Sequence, residues 1–179
     1  MSDSFNISTR VSCQNTAAIL LLRDFDQIIP MPPHLKRLPD RWLSQERRDW
    51  QQEHWGFART PGFFTFHQAS SRVSLRTSDQ APHWIIATLS RQYPDDIFRV
   101  SVATETIGCG CSTYAIRNGT MSGKQVLPDY SREAYELAFQ HFPLRRYGYV
   151  YSATLGTYRE REPAELARIE RMLHEIGLI

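Results

Sequence analysis

The sequence is poor in lysine and has no long apolar run. Of its 21 basic residues only Lys36 and Lys124 are lysines, and the others are arginines, which hold carboxylates and phosphates in fixed geometry better than lysine does. An arginine-rich genome composition explains the same bias without any function. The longest apolar run, Ala17 to Leu22, is far shorter than the ~18 residues that a membrane helix needs. We therefore expect no contact with a membrane.

Cysteine is also scarce, with three residues at positions 13, 109 and 111. The odd number and the lack of a basic and apolar leader at the N-terminus predict a reducing, cytoplasmic location. Two thiolates at Cys109 and Cys111 suit zinc or a redox pair, but a structural zinc site needs four ligands and no second cysteine pair or His-x3-His spacing is present. Packing as small hydrophobic residues is the favoured interpretation. We expect no metal and no cofactor.

The charges show no block of one sign along the chain. The net charge is +2, and basic residues alternate with acidic ones, as in Arg159-Glu160-Arg161-Glu162, which is typical of a solvated face. Nucleic-acid binding usually shows itself as a basic stripe. This pattern therefore does not favour a nucleic-acid-binding protein.

Hydrophobic periodicity predicts an α+β protein with a mainly antiparallel sheet. Asn118-Gly119 is the strongest hairpin signal. The predicted strands are Asn6–Cys13, Gly62–His67, Arg72–Thr77, Ile97–Ala103, Cys111–Arg117, Met121–Leu127 and Tyr147–Ser152. A first short helix is predicted after an N-cap at Thr16. Four further helices are predicted, from Asp40 to about Trp55, from Pro82 to Tyr93, from Ser131 to Phe142 and from Pro163 to Gly177. The predicted core between helix and sheet is Ile85, Leu89, Phe98, Val100 and Val102.

Two stretches carry a resemblance to a known family. The first runs from Phe25 to Pro32 and the second from Val73 to Gly119, with Trp55-Gly56 between them. The second stretch contains Pro82-His83-Trp84, Tyr93-Pro94-Asp95, Glu105, Gly108 and Gly110. In this order they resemble the YubB/Api-type proteins carried by conjugative plasmids and phages, over roughly residues 5 to 127. The resemblance implies a ferredoxin-like sandwich with helices on one face of the sheet and no iron–sulfur cluster. The chain departs from the family after Trp55-Gly56, where Phe57-Ala58-Arg59 replaces the usual Lys, Trp and Asp.

The resemblance and the periodicity together predict the domain organisation. Residues 1–127 form the ferredoxin-like domain, and residues 128–179 form a helical C-terminal extension packed on it. The last helix carries an apolar row at Leu166, Ile169, Leu173 and Ile176. A helix this short is marginal alone, so the row should dock on the sheet or on a second copy of the chain.

Few residues qualify as candidates for a site. Tyr147, Tyr149 and Tyr151 alternate and would share one face of a strand, with Arg145 and Arg146 beside them. Such residues stack bases, form protein–protein hot spots or pack in a core, and core packing is the default.

Three further residues are considered individually as candidates for a site. Trp55 and Glu105 belong to the motifs of the resemblance and are binding candidates, with core packing and a structural bulge as their alternatives. His67 is the one histidine that we consider as a base. No catalytic constellation can be assembled, so we expect a protein that is not an enzyme.

The leading hypothesis follows from the family context. It is a non-enzymatic protein of a mobile genetic element that binds a host protein, as a monomer or a homodimer. The alternative is an RNA- or DNA-binding ferredoxin-like module.

Overall fold

The structure is a computed structural model that describes residues 6–37, 45–56, 62–78 and 80–175. The chain forms two compact units. Unit 1 comprises Met1–Val102 and Ser112–Val126, and unit 2 comprises Ala103–Cys111 and Leu127–Ile179. The chain passes from unit 1 to unit 2 for the last time after Val126, one residue before the boundary predicted at 127. The segment 103–111 belongs to unit 2 together with the C-terminal residues.

Unit 1 is built on a six-stranded sheet in the order β2-β3-β1-β4-β5-β6. Every pairing whose register is described is antiparallel. The first four strands are neighbours in the order β4-β1-β3-β2 and follow a β-α-β-β-α-β element order, which is the ferredoxin-like arrangement. The α+β class is therefore confirmed. The strands are β1 Ile7–Ser12, β2 Gly62–His67, β3 Arg72–Thr77, β4 Phe98–Thr104, β5 Ser112–Arg117 and β6 Thr120–Val126.

Four α-helices of unit 1 are described. They are α1 Thr16–Leu20, α2 Pro33–Lys36, α3 Gln45–Trp55 and α4 His83–Gln92. The N-cap of α1 is Asn15 and not the predicted Thr16: the Asn15 side-chain oxygen accepts the Ala18 N–H at 3.2 Å. The start predicted for α3 at Asp40 lies outside the described residues.

The core of unit 1 lies between the inner face of the sheet and its helices. All five residues of the predicted core are buried, among them Leu89 and Phe98 with no exposed surface. They pack with α1, with the 3-10 turn at Phe25–Gln27 and with Trp55 in one cluster. The alternation of strand side chains therefore fixes which sheet face is buried.

The hairpin between β5 and β6 turns at the predicted dipeptide. Asn118 and Gly119 have φ angles of 44° and 76°, the left-handed pair that a type I′ turn requires. The Gly119 N–H donates to the Ser90 hydroxyl at 2.7 Å, which ties the turn to α4.

The described part of unit 2 contains two α-helices, a 3-10 helix and a two-stranded sheet. They are α5 Arg132–His141, a 3-10 helix at Pro143–Gly148, β7 Tyr149–Ser152, β8 Thr157–Glu160 and α6 Pro163–Glu175. Ser131, where the sequence predicted the helix to begin, caps α5 by accepting the Ala134 N–H at 3.1 Å. The loop 103–111 contributes Ala103, Ile107 and Cys111 to a core with α5.

One sequence-based expectation for unit 2 is wrong. Tyr147 lies in the 3-10 helix, so the three tyrosines do not share one strand. The alternating charges begin in a strand that the sequence did not predict: Arg159 and Glu160 belong to β8, whose pairing with β7 places Tyr158 opposite Tyr151. Glu160 and Glu162 are exposed, as expected of a solvated segment.

The last helix carries only part of its predicted row on its described residues. Leu173 is buried, and Leu166 and Ile169 are half-buried. Ile176 and the predicted stop at Gly177 lie outside the described residues. No helix in the described part of the chain is long and apolar enough to cross a membrane.

Candidate functional site

The outer face of the unit 1 sheet carries several arginines. Cross-strand register decides which side chains share it: Thr9 lies opposite Leu75 on the inner face, so Arg10 opposite Ser74 and Ser12 opposite Arg72 point outward. The same alternation places Arg99 outward on β4, opposite Ala115.

Five arginines come together on this face from four neighbouring strands. They are Arg72 and Arg76 on β3, Arg10 on β1, Arg99 on β4 and Arg117 on β5. At the usual spacing these four strands span about 14 Å. None of the six strands contains an aspartate or glutamate. The outer face therefore carries arginine side chains from β3 to β5.

Carboxylates approach this face at the end of the strands. Asp95, in the turn before β4, lies 3.9 Å from the Arg117 guanidinium, and its own side chain is fully exposed. The next residue, Asp96, instead accepts the Asn15 side-chain amide at 2.9 Å. Both acids precede β4 in the chain, and neither belongs to a strand of the sheet.

The β2 side of the face holds a cluster from three strands, which we call the β1–β3 cluster: Arg10, His67, Arg72 and Ser74. His67 is the cross-strand partner of Arg72, and Ser74 lies opposite Arg10. The Ser74 hydroxyl is 3.3 Å from His67 Nε2. Both arginines are half-buried, so their charges are only partly screened by water.

Electrostatics in the cluster reflect burial and like charge. Burial and the neighbouring Arg72 lower the pKa of Arg10 to about 10. Burial, Arg72 and Arg10 also lower the pKa of His67. In each case burial and a neighbouring positive charge disfavour the charged form.

One aromatic ring accompanies the arginines. Phe63, at the edge strand β2, is 71% exposed, and the Arg76 guanidinium lies over its ring at 5.4 Å. A groove of about 430 Å³ opens at the end of β1 between Ser12, Ser70 and Arg99. The face thus combines charge, one exposed ring and a groove.

The candidate residues of the C-terminal region lie in unit 2. Glu105, Arg145, Tyr147 and Tyr149 line a groove of about 430 Å³, together with apolar residues of α6. Tyr149 also packs in an aromatic cluster, with its ring 5.3 Å from Tyr135.

The other two candidates of this region lie outside that groove. Arg146 lines a smaller pocket of about 320 Å³ beside Tyr158. Tyr151 is 46% exposed, and its ring faces the Arg132 guanidinium at 5.5 Å.

Trp55, the remaining candidate, is part of the unit 1 core. Its side chain is 2% exposed, and its indole N–H donates to the Ile29 carbonyl at 3.1 Å. Its ring meets Phe25 and Trp50 edge-on. This burial leaves almost no ring surface for a partner.

The cysteines show no arrangement that suits a metal. Cys111 is buried and donates to the Ala134 carbonyl at 3.3 Å, and burial raises its pKa to about 11. Within the described ranges no three His, Cys, Asp or Glu side chains gather as a metal site would require. The expectation that the protein holds no metal stays a prediction.

The arginine face was missed because its members are far apart in the sequence. Arg10, Arg72 and Arg99 are separated by dozens of residues, so no basic stripe forms along the chain. A signal was nevertheless present: in Thr9-Arg10-Val11, Leu75-Arg76-Thr77 and Phe98-Arg99-Val100, arginine occupies the outward position of a strand.

Comparisons with known proteins give one structural neighbour. No family model and no curated protein matches the chain. The solved structure described as protein api92 from Yersinia pseudotuberculosis, of the DUF1281 family model, aligns with 12% identity and a TM-score of 0.47. The alignment covers 59% of this chain and 39% of that protein, so the chain spans about two fifths of its length. The plasmid or phage origin stays a prediction.

Proposed function

We propose that unit 1 binds the phosphate backbone of single-stranded nucleic acid on the outer face of its sheet. The observation that carries this proposal is the gathering of five arginines on strands that contain no acidic residue. Backbone phosphates supply most of the affinity of such complexes, through arginine and lysine contacts. This is the alternative that the sequence placed second.

The kind of recognition follows from the side chains. Sheets that recognise RNA by sequence stack several bases on aromatic rings. Here the three tyrosines lie in unit 2, and Phe63 is the exposed ring that we identify on this face. We therefore expect charge-driven binding with weak sequence preference, and a single strand can follow a flat, charged sheet.

Salt dependence tests the proposal. Binding of a fluorescein-labelled polyuridine strand, followed by anisotropy, should weaken as salt rises, with a slope of log affinity against log salt of about −2 to −3.5. Arg99→Ala should lower the affinity for every strand sequence and reduce the slope by about one. A labelled DNA strand and a labelled duplex serve as comparison ligands.

The matched control is Arg48→Ala. Arg48 is exposed on α3, in the same unit, and bonds to Gln45. The Arg48→Ala substitution removes one positive charge at a position away from the arginine face. If both variants lose the same affinity, the effect of Arg99→Ala is due to net charge alone. If the protein does not bind the labelled strands at low salt, the proposal is wrong.

A second proposal concerns a protein partner. The expectation of a non-enzymatic, mobile-element protein that binds a host protein draws support from the groove of unit 2, where Leu144 is 79% exposed and Tyr147 is 48% exposed. Tyrosine and arginine at an apolar edge are typical of contact hot spots. A tagged pull-down from nuclease-treated host extract should lose its partner with Tyr147→Ala and keep it with Leu155→Ala; a partner released by nuclease alone would favour the first proposal.

A further inference from the structure

We propose that Arg10, Arg72 and His67 form a subsite for one phosphate group in the β1–β3 cluster. The inference deepens the proposed function and rests on it for the source of the phosphate, which is one backbone phosphate of the strand. It differs from general attraction to a basic face because it assigns a particular position and particular donors.

The first argument is geometric. The cluster uses three adjacent strands, and both the His67–Arg72 and the Arg10–Ser74 pairs are directly opposed across them. Opposed residues have Cβ atoms about 5 Å apart, so their side chains meet above the sheet. Two guanidiniums, an imidazole and a hydroxyl thus face one small region from different directions.

The second argument concerns an unused donor. The Nε–H of Arg72 is buried and has no hydrogen-bond partner among the described residues. Buried polar atoms are almost always hydrogen-bonded, so such an atom calls for a ligand. An oxygen placed between Arg72 and His67 would accept this donor.

The third argument is energetic. Burial and the neighbouring Arg72 disfavour the charged form of Arg10, as its lowered pKa indicates. A bound oxyanion reverses this effect and gains charge-assisted hydrogen bonds. A phosphate offers oxygens in several directions, which fits donors from three strands better than a planar carboxylate does.

The test uses the full chain with inorganic phosphate and with a short polyuridine strand. The probe is the imidazole NMR signal of His67, recorded against pH. Arg72 and Arg10 are the charged groups that face this ring within the described residues. Either ligand should move the signal and raise the pKa of His67, because a bound anion favours the protonated ring; chloride at equal ionic strength should not.

Variants provide the second readout. Arg72→Gln should weaken phosphate binding roughly tenfold or more, since a charge-assisted hydrogen bond is lost, and Arg72→Lys should restore part of it. Arg48→Gln, an exposed arginine of α3 outside this face, is the control and should leave phosphate binding within about twofold.

The outcomes separate the two proposals. If the polyuridine binds, the His67 signal does not change and Arg72→Gln loses no affinity, the subsite is wrong but nucleic-acid binding on the arginine face stands. If inorganic phosphate binds and polyuridine does not, the subsite is supported and the proposed function is wrong. If neither ligand moves the His67 signal, the subsite is wrong even where a variant fails to fold, because this measurement needs only the native protein.

Discussion

At the scale of single residues, Leu89 tests the packing between α4 and the sheet. Its side chain has no exposed surface and lies in the main core cluster. Leu89→Ala should lower the free energy of unfolding by about 2–5 kcal/mol, because it removes buried methyl groups and leaves a cavity. Urea denaturation measures this change. The same substitution at Leu155, which is 63% exposed, is the control, and a loss at Leu89 below ~1 kcal/mol would contradict the assignment.

His67 gives a pH dependence whose sign follows from its surroundings. Burial and the charges of Arg72 and Arg10 lower its folded pKa below the value of about 6.5 of the unfolded chain. The unfolded state then binds more protons, so His67 lowers stability as the pH falls below about 6.5, and has no such effect above it.

The measurement compares urea midpoints near pH 7.5 and pH 5 in a buffer without phosphate. His67→Gln should lose less stability between these pH values than the native chain does. His83→Gln, on the exposed first turn of α4, corrects for the loss of an imidazole elsewhere. If His67→Gln loses as much stability between the two pH values as the native chain, or more, protonation of His67 does not destabilise the folded state.

At the scale of secondary structure elements, two glycines of the β5–β6 hairpin form a matched pair. Gly119 and Gly123 have φ angles of 76° and 60°. A Cβ at Gly119 would collide with the Arg91 side chain, whereas a Cβ at Gly123 would meet nothing within 4 Å.

Alanine at either position forces a left-handed residue, which costs about 1–2 kcal/mol. Gly119→Ala should therefore destabilise the protein more than Gly123→Ala, since the collision adds to the backbone strain and endangers the bond to Ser90. Thermal melting of both variants measures the difference. Equal losses would mean that Arg91 moves aside freely.

The elements also show how far sequence reasoning reaches. β3 was predicted to the residue, because Val73, Leu75 and Thr77 alternate with polar residues. β8 was missed because Arg159 and Glu160 resemble a solvated segment until β7 is known to lie beside them. Local patterns thus determine elements, whereas strand neighbours depend on contacts between distant parts of the chain.

The candidate site was predicted less well for the same reason. Alternation already assigned Arg76 to the side opposite Leu75, but the sequence alone does not order β1, β3 and β4 as neighbours. The arginine face appears only when that order is known. Tyr147, in contrast, was assigned to a strand, and Pro143 begins a 3-10 helix there instead.

At the scale of the whole molecule, unit 1 can be made as a shorter protein without the residues of unit 2, which we call the minimal form. Val102 lies directly opposite Ser112, so an Asn-Gly turn can replace residues 103–111, and the chain can end at Val126. This fragment should unfold cooperatively and bind single strands with the salt dependence of the full chain. Circular dichroism and anisotropy measure both properties.

The contrasting fragment is residues 1–127 with the natural loop. It keeps Ile107 and Cys111, which are buried against α5 in the full chain, and should therefore be more prone to aggregate than the minimal form. A minimal form that fails to fold, beside a stable 1–127 fragment, would show that unit 1 depends on the loop.

The divided sequence of unit 2 has a consequence for biosynthesis. On the ribosome the loop 103–111 emerges before α5 and β8, which complete its core and end near residue 160. At 5–20 residues per second, about 50 residues take roughly 3–10 s to translate. During that interval the nascent chain exposes Ile107 and Cys111, which makes it a substrate for chaperones that recognise apolar segments. Crosslinking of ribosome-bound chains in which residues 1–115 or residues 1–175 have left the exit tunnel should find such a chaperone on the first and much less of it on the second.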